Sequence, residues 1–211
     1  MQITKLEKQK KNETRFSVFI DDEFAFGLSG VDVLFYKLEE GMELSQEKYH
    51  EILEDAIFSK ARDRAIRFLS YRARSREEVR ERLSINKNED YSDETIERVI
   101  DLMAKYGYID DSKFAVSYIK DKTNINGFGS IRIKHELKEK GVSRETIDHA
   151  YDQLDIDEVE VALSVLEKKI KNGISDNAKE NNKVYEFLIR RGFSHEIIAS
   201  AMTAFEEKQS F

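Results

Sequence analysis

The sequence contains no cysteine and no proline, and only nine of its 211 residues are glycine. Without cysteine there is neither a disulfide framework nor a thiolate ligand for zinc. Without proline, which makes up about 5% of an average globular composition, nothing breaks a helix from within, so long helices and a mostly helical fold are expected. No uninterrupted apolar run approaches the roughly 18 residues a spanning helix needs. Met1-Gln2-Ile3-Thr4-Lys5 lacks the apolar stretch of a secretory signal, and Glu7 and Glu13 make the start too acidic for a transit peptide, so a cytoplasmic location is expected. Histidine is scarce as well. His50, His135, His149 and His195 are scattered, none four residues from another on one helix, so no metal site of familiar spacing is expected and they read as surface or core residues.

What the chain does have is charge. Charged residues make up 36% and hydrophobic residues 40%, a balance that suits a soluble fold of one or two compact domains with long charged faces. The net charge of −7 would repel nucleic acid unless the positive charges are gathered in one place. Residues 60–87 gather ten cations against four carboxylates, a local +6 that leaves about −13 for the rest.

Near the start, apolar residues alternate at Phe16, Val18 and Ile20 and again at Phe24, Phe26 and Leu28, on either side of Asp21-Asp22, which predicts a β-hairpin. Residues 1–8 could add a third strand. A short helix carrying Val33, Leu34 and Leu38 and closed by Gly41 is expected next, and Ser45 then caps a long helix with Tyr49, Ile52, Leu53, Ala56 and Ile57 on one face. No strand is expected beyond it.

Three segments align without gaps: Ser92-Asp93-Glu94-Thr95-Ile96, Ser143-Arg144-Glu145-Thr146-Ile147 and Ser194-His195-Glu196-Ile197-Ile198, their serines 51 residues apart in both intervals. Each opens an apolar stripe at helical spacing: Ile96, Val99, Ile100, Met103; Ile147, Ala150, Tyr151, Leu154; Ile198, Ala201, Met202, Phe205. Serine caps such a helix by accepting from an orphan amide of the first turn. Upstream lies a middle helix ending in Leu83, Leu137 or Leu188. Tight turns follow it at Lys140-Gly141-Val142-Ser143 and Arg191-Gly192-Phe193-Ser194, and a longer, glycine-free one through Asn86, Lys87 and Asn88. Leading helices fall at Ala61–Leu69, Phe114–Ile119 and Val159–Ile170. Joints at Asp121–Ser130 and Asn172–Lys183 vary, the latter polar enough for a mobile loop, and Gly127-Phe128-Gly129-Ser130 reads as a hinge rather than a phosphate loop.

The fold class expected is therefore mainly α, with three tandem three-helix repeats in an elongated curved array behind a small N-terminal β-hairpin extension. The domain boundaries expected are 1–45 for the hairpin and short helix, 46–110 for the first repeat, 111–155 for the second and 156–211 for the third.

Middle helices are basic, with Arg76, Arg80, Arg132, Lys134, Lys138, Lys140, Arg190 and Arg191, while the helices that follow are acidic. Stacked in register, the middle helices could form a basic stripe; alternatively the charges solvate helix faces and pair between neighbours. Arginine dominance in the first copy favours binding, because guanidinium presents a planar fork to phosphate or carboxylate. Tyr71, beside Arg72, Arg74 and Arg76, either stacks on a base or a partner or belongs to the core, and Ser75 with Glu78 forms a capping box. Nothing points to catalysis, a metal or a cofactor, and a non-enzymatic protein is expected.

These segments also resemble the RecX family of bacterial recombination regulators. Leu69-Ser-Tyr-Arg72-Ala-Arg74-Ser75-Arg-Glu-Glu78-Val79-Arg-Glu-Arg-Leu83 is similar to its first-repeat signature, and Tyr106-Gly107-Tyr108-Ile109-Asp110-Asp111-Ser-Lys-Phe114-Ala115-Val-Ser-Tyr118 to the junction into the second. Ile133-Lys-His-Glu136-Leu137-Lys-Glu-Lys140-Gly141-Val142 and Phe187-Leu188-Ile-Arg190-Arg191-Gly192-Phe193-Ser194 complete a likeness over roughly residues 56–205, from which the less basic Asp121–Asn126 departs. The hairpin lies outside that shared core and looks like an extension. The resemblance implies a monomeric, non-enzymatic protein that binds the RecA recombinase, lies in the groove of its filament on single-stranded DNA with weak direct DNA contact, and restrains ATP hydrolysis, filament growth and strand exchange. Tyr71, Arg72, Arg74, Arg76, Arg80, Arg132, Lys134, Lys138, Lys140, Arg190 and Arg191 are the expected contacts. A helix-turn-helix DNA-binding regulator is the runner-up, since a tight glycine turn joins two helices, and a helical scaffold for another protein is the third reading.

Overall fold

The computed structural model describes residues 1–10, 12–85, 91–170 and 178–209. The chain divides into two compact units, Met1–Arg72 with Val79–Tyr108, and Ala73–Glu78 with Ile109–Phe211.

The first unit opens with an antiparallel sheet of β1 (Ile3–Gln9), β2 (Asn12–Ile20) and β3 (Glu23–Ser29), in that order, so the third strand does form. Asp21 and Asp22 turn the hairpin with φ of 48° and 68°, a two-residue geometry that Asp tolerates and that matches strand twist. Ile3, Val18, Ile20, Phe26 and Leu28 are buried with Ile52 and Ala56 of α2 (Gln46–Leu69), which Ser45 caps as expected. Phe24 leaves this face. A register shift between Val18 and Phe19 pairs Phe24 with Phe19, and such a bulge carries the next side chain to the other side, here 57% exposed.

The short helix also differs from expectation. Helix α1 (Gly30–Phe35) stops before Leu38, because Lys37 takes φ of 52° and the Leu38 amide donates back to Val33 O, a Schellman-type end that buries Leu38 beyond the helix and leaves Leu34 outside. Helices α3 (Arg76–Ser84) and α4 (Asp93–Lys105) follow; Val79, Leu83, Ile96, Val99, Ile100 and Met103 are buried, and Ser92 caps α4 through the Thr95 amide. The predicted turn through Asn86, Lys87 and Asn88 lies outside the described residues.

In the second unit, α5 (Asp111–Asn124), α6 (Ser130–Glu139) and α7 (Arg144–Asp152) enclose Phe114, Ala115, Ile119, Ile133, Leu137, Val142, Ile147 and Ala150. Helices α8 (Glu158–Lys169), α9 (Ala178–Arg190) and α10 (His195–Gln209) repeat the plan around Leu163, Leu166, Leu188, Phe193, Ile198 and Phe205. Ser143 and Ser194 cap the last helix of each triplet. No glycine or proline stops α5 at Ile119, so it runs to Asn124 and the expected Asp121–Ser130 joint shrinks to residues 125–129. Of the loop expected at Asn172–Lys183, residues 178–183 are already α9, and 171–177 lie outside the described residues. Among the described residues no helix is long and apolar enough to cross a membrane.

Two joints in this unit share one backbone plan. At the first, Ser75 Oγ donates to Lys140 O (2.7 Å), the Arg76 amide donates to the Asp111 carboxylate (2.8 Å), and Gly141 lies against Glu77. At the second, the Gly129 amide donates to Arg191 O (2.9 Å), the Ser130 amide to Glu158 (3.2 Å), and Gly192 lies against Arg132. In both, the orphan amides of a middle helix are capped by the first carboxylate of the next triplet's leading helix. A Cβ on Gly129 would come within 2.3 Å of Gly192 O and one on Gly192 within 2.3 Å of Arg132 Cβ, so the Gly-Phe-Gly segment is a packed contact and not the hinge expected from sequence.

Candidate functional site

The second joint concentrates cations around aromatic rings. The Arg132 guanidinium stands 3.7 Å from the Phe128 ring centre, with Lys122 at 5.5 Å and Arg191 at 5.8 Å; Arg191 also lies 4.7 Å from the Phe187 ring, and Lys169 4.5 Å from it. Such placement lets each cation face a ring quadrupole while keeping donors for another acceptor. Helices α5, α6 and α9 supply Lys122, Arg132 and Phe187. Phe128 comes from the loop fixed by Gly129, and Arg191 from the residue just before the Gly192 turn.

Around Phe128, Lys122 and Arg132 share one carboxylate and Arg191 stands beside them. Glu136 accepts from Arg132 Nε (2.8 Å), from Tyr118 OH (2.7 Å) and from Lys122 Nζ (3.3 Å). Burial by itself would raise the Glu136 carboxyl, but these bonds outweigh it and hold the group below the usual carboxylate range. Arg191 takes no carboxylate from the described residues; it donates to the carbonyls of Asn126 and Gly127. Burial, then the like charge of Arg132, pull its guanidinium below the ordinary value. Arg191, Lys169 and Phe187 also line a cavity of about 740 Å³ that Asp155, Asp157 and Glu160 share, so the cavity is mixed in sign and the cationic excess belongs to the Phe128 side. An anion approaching Phe128 would meet three cations against Glu136 and the capping Glu158, one positive charge in excess.

The sequence-predicted residues fall into four groups. Arg132, Arg190 and Arg191 come together here: Arg132 Nη1 donates to Arg190 O (3.4 Å), while the exposed Arg190 side chain lies 3.7 Å from Glu186. Arg74 and Lys140 meet at the first joint on Glu78, at 3.9 and 3.1 Å, and the expected capping box of Ser75 and Glu78 forms there, with the Arg76 amide in the same joint. Arg80 and Lys134 each reach a carboxylate of the following helix, Glu97 (2.7 Å) and Asp148 (2.8 Å), which is the neighbour pairing weighed above. Lys138 and Arg72 are exposed. Tyr71 is 79% exposed, which removes it from the core. Sequence reasoning missed Lys122, Lys169, Phe128, Phe187 and Glu136. Phe128 between two glycines was the available signal, because glycines flanking an aromatic mark a place where backbone must come close.

Family models match four stretches: Regulatory protein RecX N-terminal domain over residues 1–45, and the RecX first, second and third three-helix domains over 61–101, 110–150 and 155–202. The chain belongs to the RecX family. Regulatory protein RecX of Clostridioides difficile is 33% identical over 198 residues, covering 93% of this chain and 92% of that protein. Regulatory protein RecX of Bacillus subtilis is 34% identical over 97% of this chain and 77% of its own length. Two crystal structures are similar: one of regulatory protein RecX, TM-score 0.68 at 25% identity over 95% of this chain and 98% of that one, and RecX from Lactobacillus salivarius, TM-score 0.61 at 26% identity over 72% and 97%. The RecX likeness therefore reaches Met1, and the N-terminal sheet belongs to a family domain rather than lying outside it.

Proposed function

We propose that this RecX-family chain regulates homologous recombination without catalysis, by binding the RecA recombinase and its filament on single-stranded DNA and restraining ATP hydrolysis, filament growth and strand exchange. The observation that carries the contact is the Phe128 cluster, where three cations surround one ring and two of them share the Glu136 carboxylate, within a chain whose overall charge is −7. A local excess of that kind receives acidic protein surface or phosphate, both of which a nucleoprotein filament offers. Arg132, Lys138 and Arg190 of the second unit, with Arg72, Arg74, Arg76 and Tyr71, make the contact. Arg80, Lys134 and Lys140, each paired with a carboxylate, hold the fold beneath it, and Arg191 adds to the field. The protein acts as a monomer in the cytoplasm, and direct contact with DNA is weak.

The deciding experiment measures DNA-dependent ATP turnover by the recombinase of the same host as this chain is added below one copy per recombinase monomer. Turnover falls if the proposal is right, and the fall is blunted by Lys138→Glu and Arg190→Glu together. Unchanged turnover at equimolar protein would overturn the function. A fall untouched by the double reversal would move the contact elsewhere. The helix-turn-helix reading gains no support, because α7 opens with Glu145 and Asp148, carboxylates that would face phosphate, and Asp148 is already bonded to Lys134.

A further inference from the structure

We infer that Glu40 guards the outer edge of β1 and keeps the N-terminal sheet from pairing, edge to edge, with a second copy of this chain. In the strand order β1-β2-β3, β1 has β2 on one side and turns its other edge outward. Such an edge is a template for another strand unless something covers it. Residues 41–44 cover the first part. The Ile3 amide donates to Met42 O (2.9 Å), the Gly41 amide to Ile3 O (2.7 Å) and the Leu44 amide to Met1 O (2.9 Å). Further along, the Leu6 amide donates to a side chain instead, the Glu40 carboxylate, at 2.8 Å. A carboxylate accepts and has no N–H to give back, so it satisfies the strand without offering a ladder that another strand could extend. On β3, the other outer strand, the Arg15 guanidinium donates to Gly27 O (3.1 Å) and the Ser29 amide to Asp32 (3.2 Å), so charged side chains hold backbone groups on both outer strands.

The charges of β1 say which strand would pair with it. Lys5 and Glu7 are exposed, two residues apart and therefore on one face, where they bond to each other at 3.1 Å, while Leu6 between them packs against the core. An antiparallel pairing of two copies about a two-fold axis at Leu6 sets Leu6 opposite Leu6 and, on the outer face, Lys5 of each copy opposite Glu7 of the other. Opposite charges directly across two antiparallel strands stabilise the pair. A two-fold axis one residue earlier sets Lys5 against Lys5, and one residue later sets Glu7 against Glu7, so charge selects the register centred on Leu6. The outward amide at the centre of that register is the one Glu40 occupies. The sequence of β1 is thus complementary to itself, and Glu40, 34 residues away along the chain, prevents that pairing.

The test follows the mass of the full chain by analytical ultracentrifugation over a wide concentration range, with no recombinase or DNA present, so its result is separate from that of the ATP-turnover assay. The wild type stays at 24.7 kDa, and Glu40→Ala rises toward twice that mass as concentration increases. Glu40→Gln keeps a carbonyl acceptor for the Leu6 amide and stays at the monomer mass. Adding Lys5→Glu to Glu40→Ala sets like charges across the two-fold axis and returns the monomer; adding Glu7→Lys as well restores the opposite pairs and the dimer. All three positions are exposed, so each variant folds, which far-UV circular dichroism checks. Hydrogen exchange gives a second reading: in dilute Glu40→Ala the Leu6 amide exchanges about tenfold faster than in the wild type, and its protection returns as the dimer forms. A Glu40→Ala chain that stays monomeric throughout overturns the inference, as does a dimer indifferent to Lys5→Glu. So does a wild-type chain that dimerises with Glu40 in place, or Glu40→Gln associating as strongly as Glu40→Ala.

Discussion

The two joints of the second unit are built on a similar plan and differ in what their cations meet. Val79 and Leu83 of α3 hold the places of Ile133 and Leu137 in α6, so Glu78 corresponds to Arg132; Lys140 and Arg191 each precede the glycine of the turn. At the first joint the cation meets a carboxylate, with Lys140 3.1 Å from Glu78 and Arg74 sharing it. At the second, arginine stands where that glutamate was, and Arg191 faces like charge, aromatic rings and backbone carbonyls. One exchange of sign replaces a lysine–carboxylate contact by the approach of two arginines, while a close glycine approach and the capping carboxylate persist. The packing plan is thus independent of the charge plan, and a repeat can change what it attracts without changing how it stacks.

The largest expected effect breaks the shared backbone. Gly192→Ala meets positive φ and Arg132 Cβ at 2.3 Å, and Gly141→Ala meets positive φ and Glu77 Cβ at 2.4 Å. Left-handed strain of about 1 kcal/mol plus overpacking of about 1–3 kcal/mol gives a loss of about 2–4 kcal/mol for each. Gly107→Ala has the same φ sign with open space around it, so it loses only about 1 kcal/mol; equal denaturation midpoints for all three would show that close approach contributes nothing.

Next in size is Glu136→Gln, which removes the carboxylate that Arg132, Lys122 and Tyr118 share. A loss of about 1–3 kcal/mol at pH 7 is expected. Because the folded carboxyl lies below the ordinary 4.5, this stabilisation is complete above that pH and disappears as pH falls through the lowered folded value. Melting curves of wild type and variant should therefore converge in acid, and a constant gap would mean that charge is irrelevant there.

The comparison is sharpened by Arg132→Gln, expected to weaken filament binding about three- to tenfold and reduce its salt slope by about one, as loss of one ionic contact does. Lys140→Gln at the first joint, where Glu78 pairs with the lysine, should leave that slope unchanged. Salt titrations of filament binding decide between equal and unequal joints. The smallest effect belongs to a residue on neither joint: Tyr71→Ala should shift stability by less than about 0.5 kcal/mol, read from its melting temperature, because its ring is largely in water.

Much of the architecture is legible along the chain. The serine caps at 45, 92, 143 and 194, the three apolar stripes and the Asp21-Asp22 hairpin are local, each set by neighbours within a few residues. The errors are local features with a non-local cause. Phe24 leaves its face because β3 carries an extra residue, Ala25, against β2, and the Gly-Phe-Gly hinge is a packed joint because Gly192, far along the chain, lies against it.

Sequence alone determined the element types, the 51-residue spacing and the cationic bias of the middle helices, since helix periodicity, caps and turn glycines act over distances the chain order already contains. Tertiary structure decided which cations are neutralised. Lys140 finds Glu78 across 62 residues and Arg191 finds carbonyls at 64 and 65, and Coulomb energy depends on those distances in space, to which position along the chain is blind.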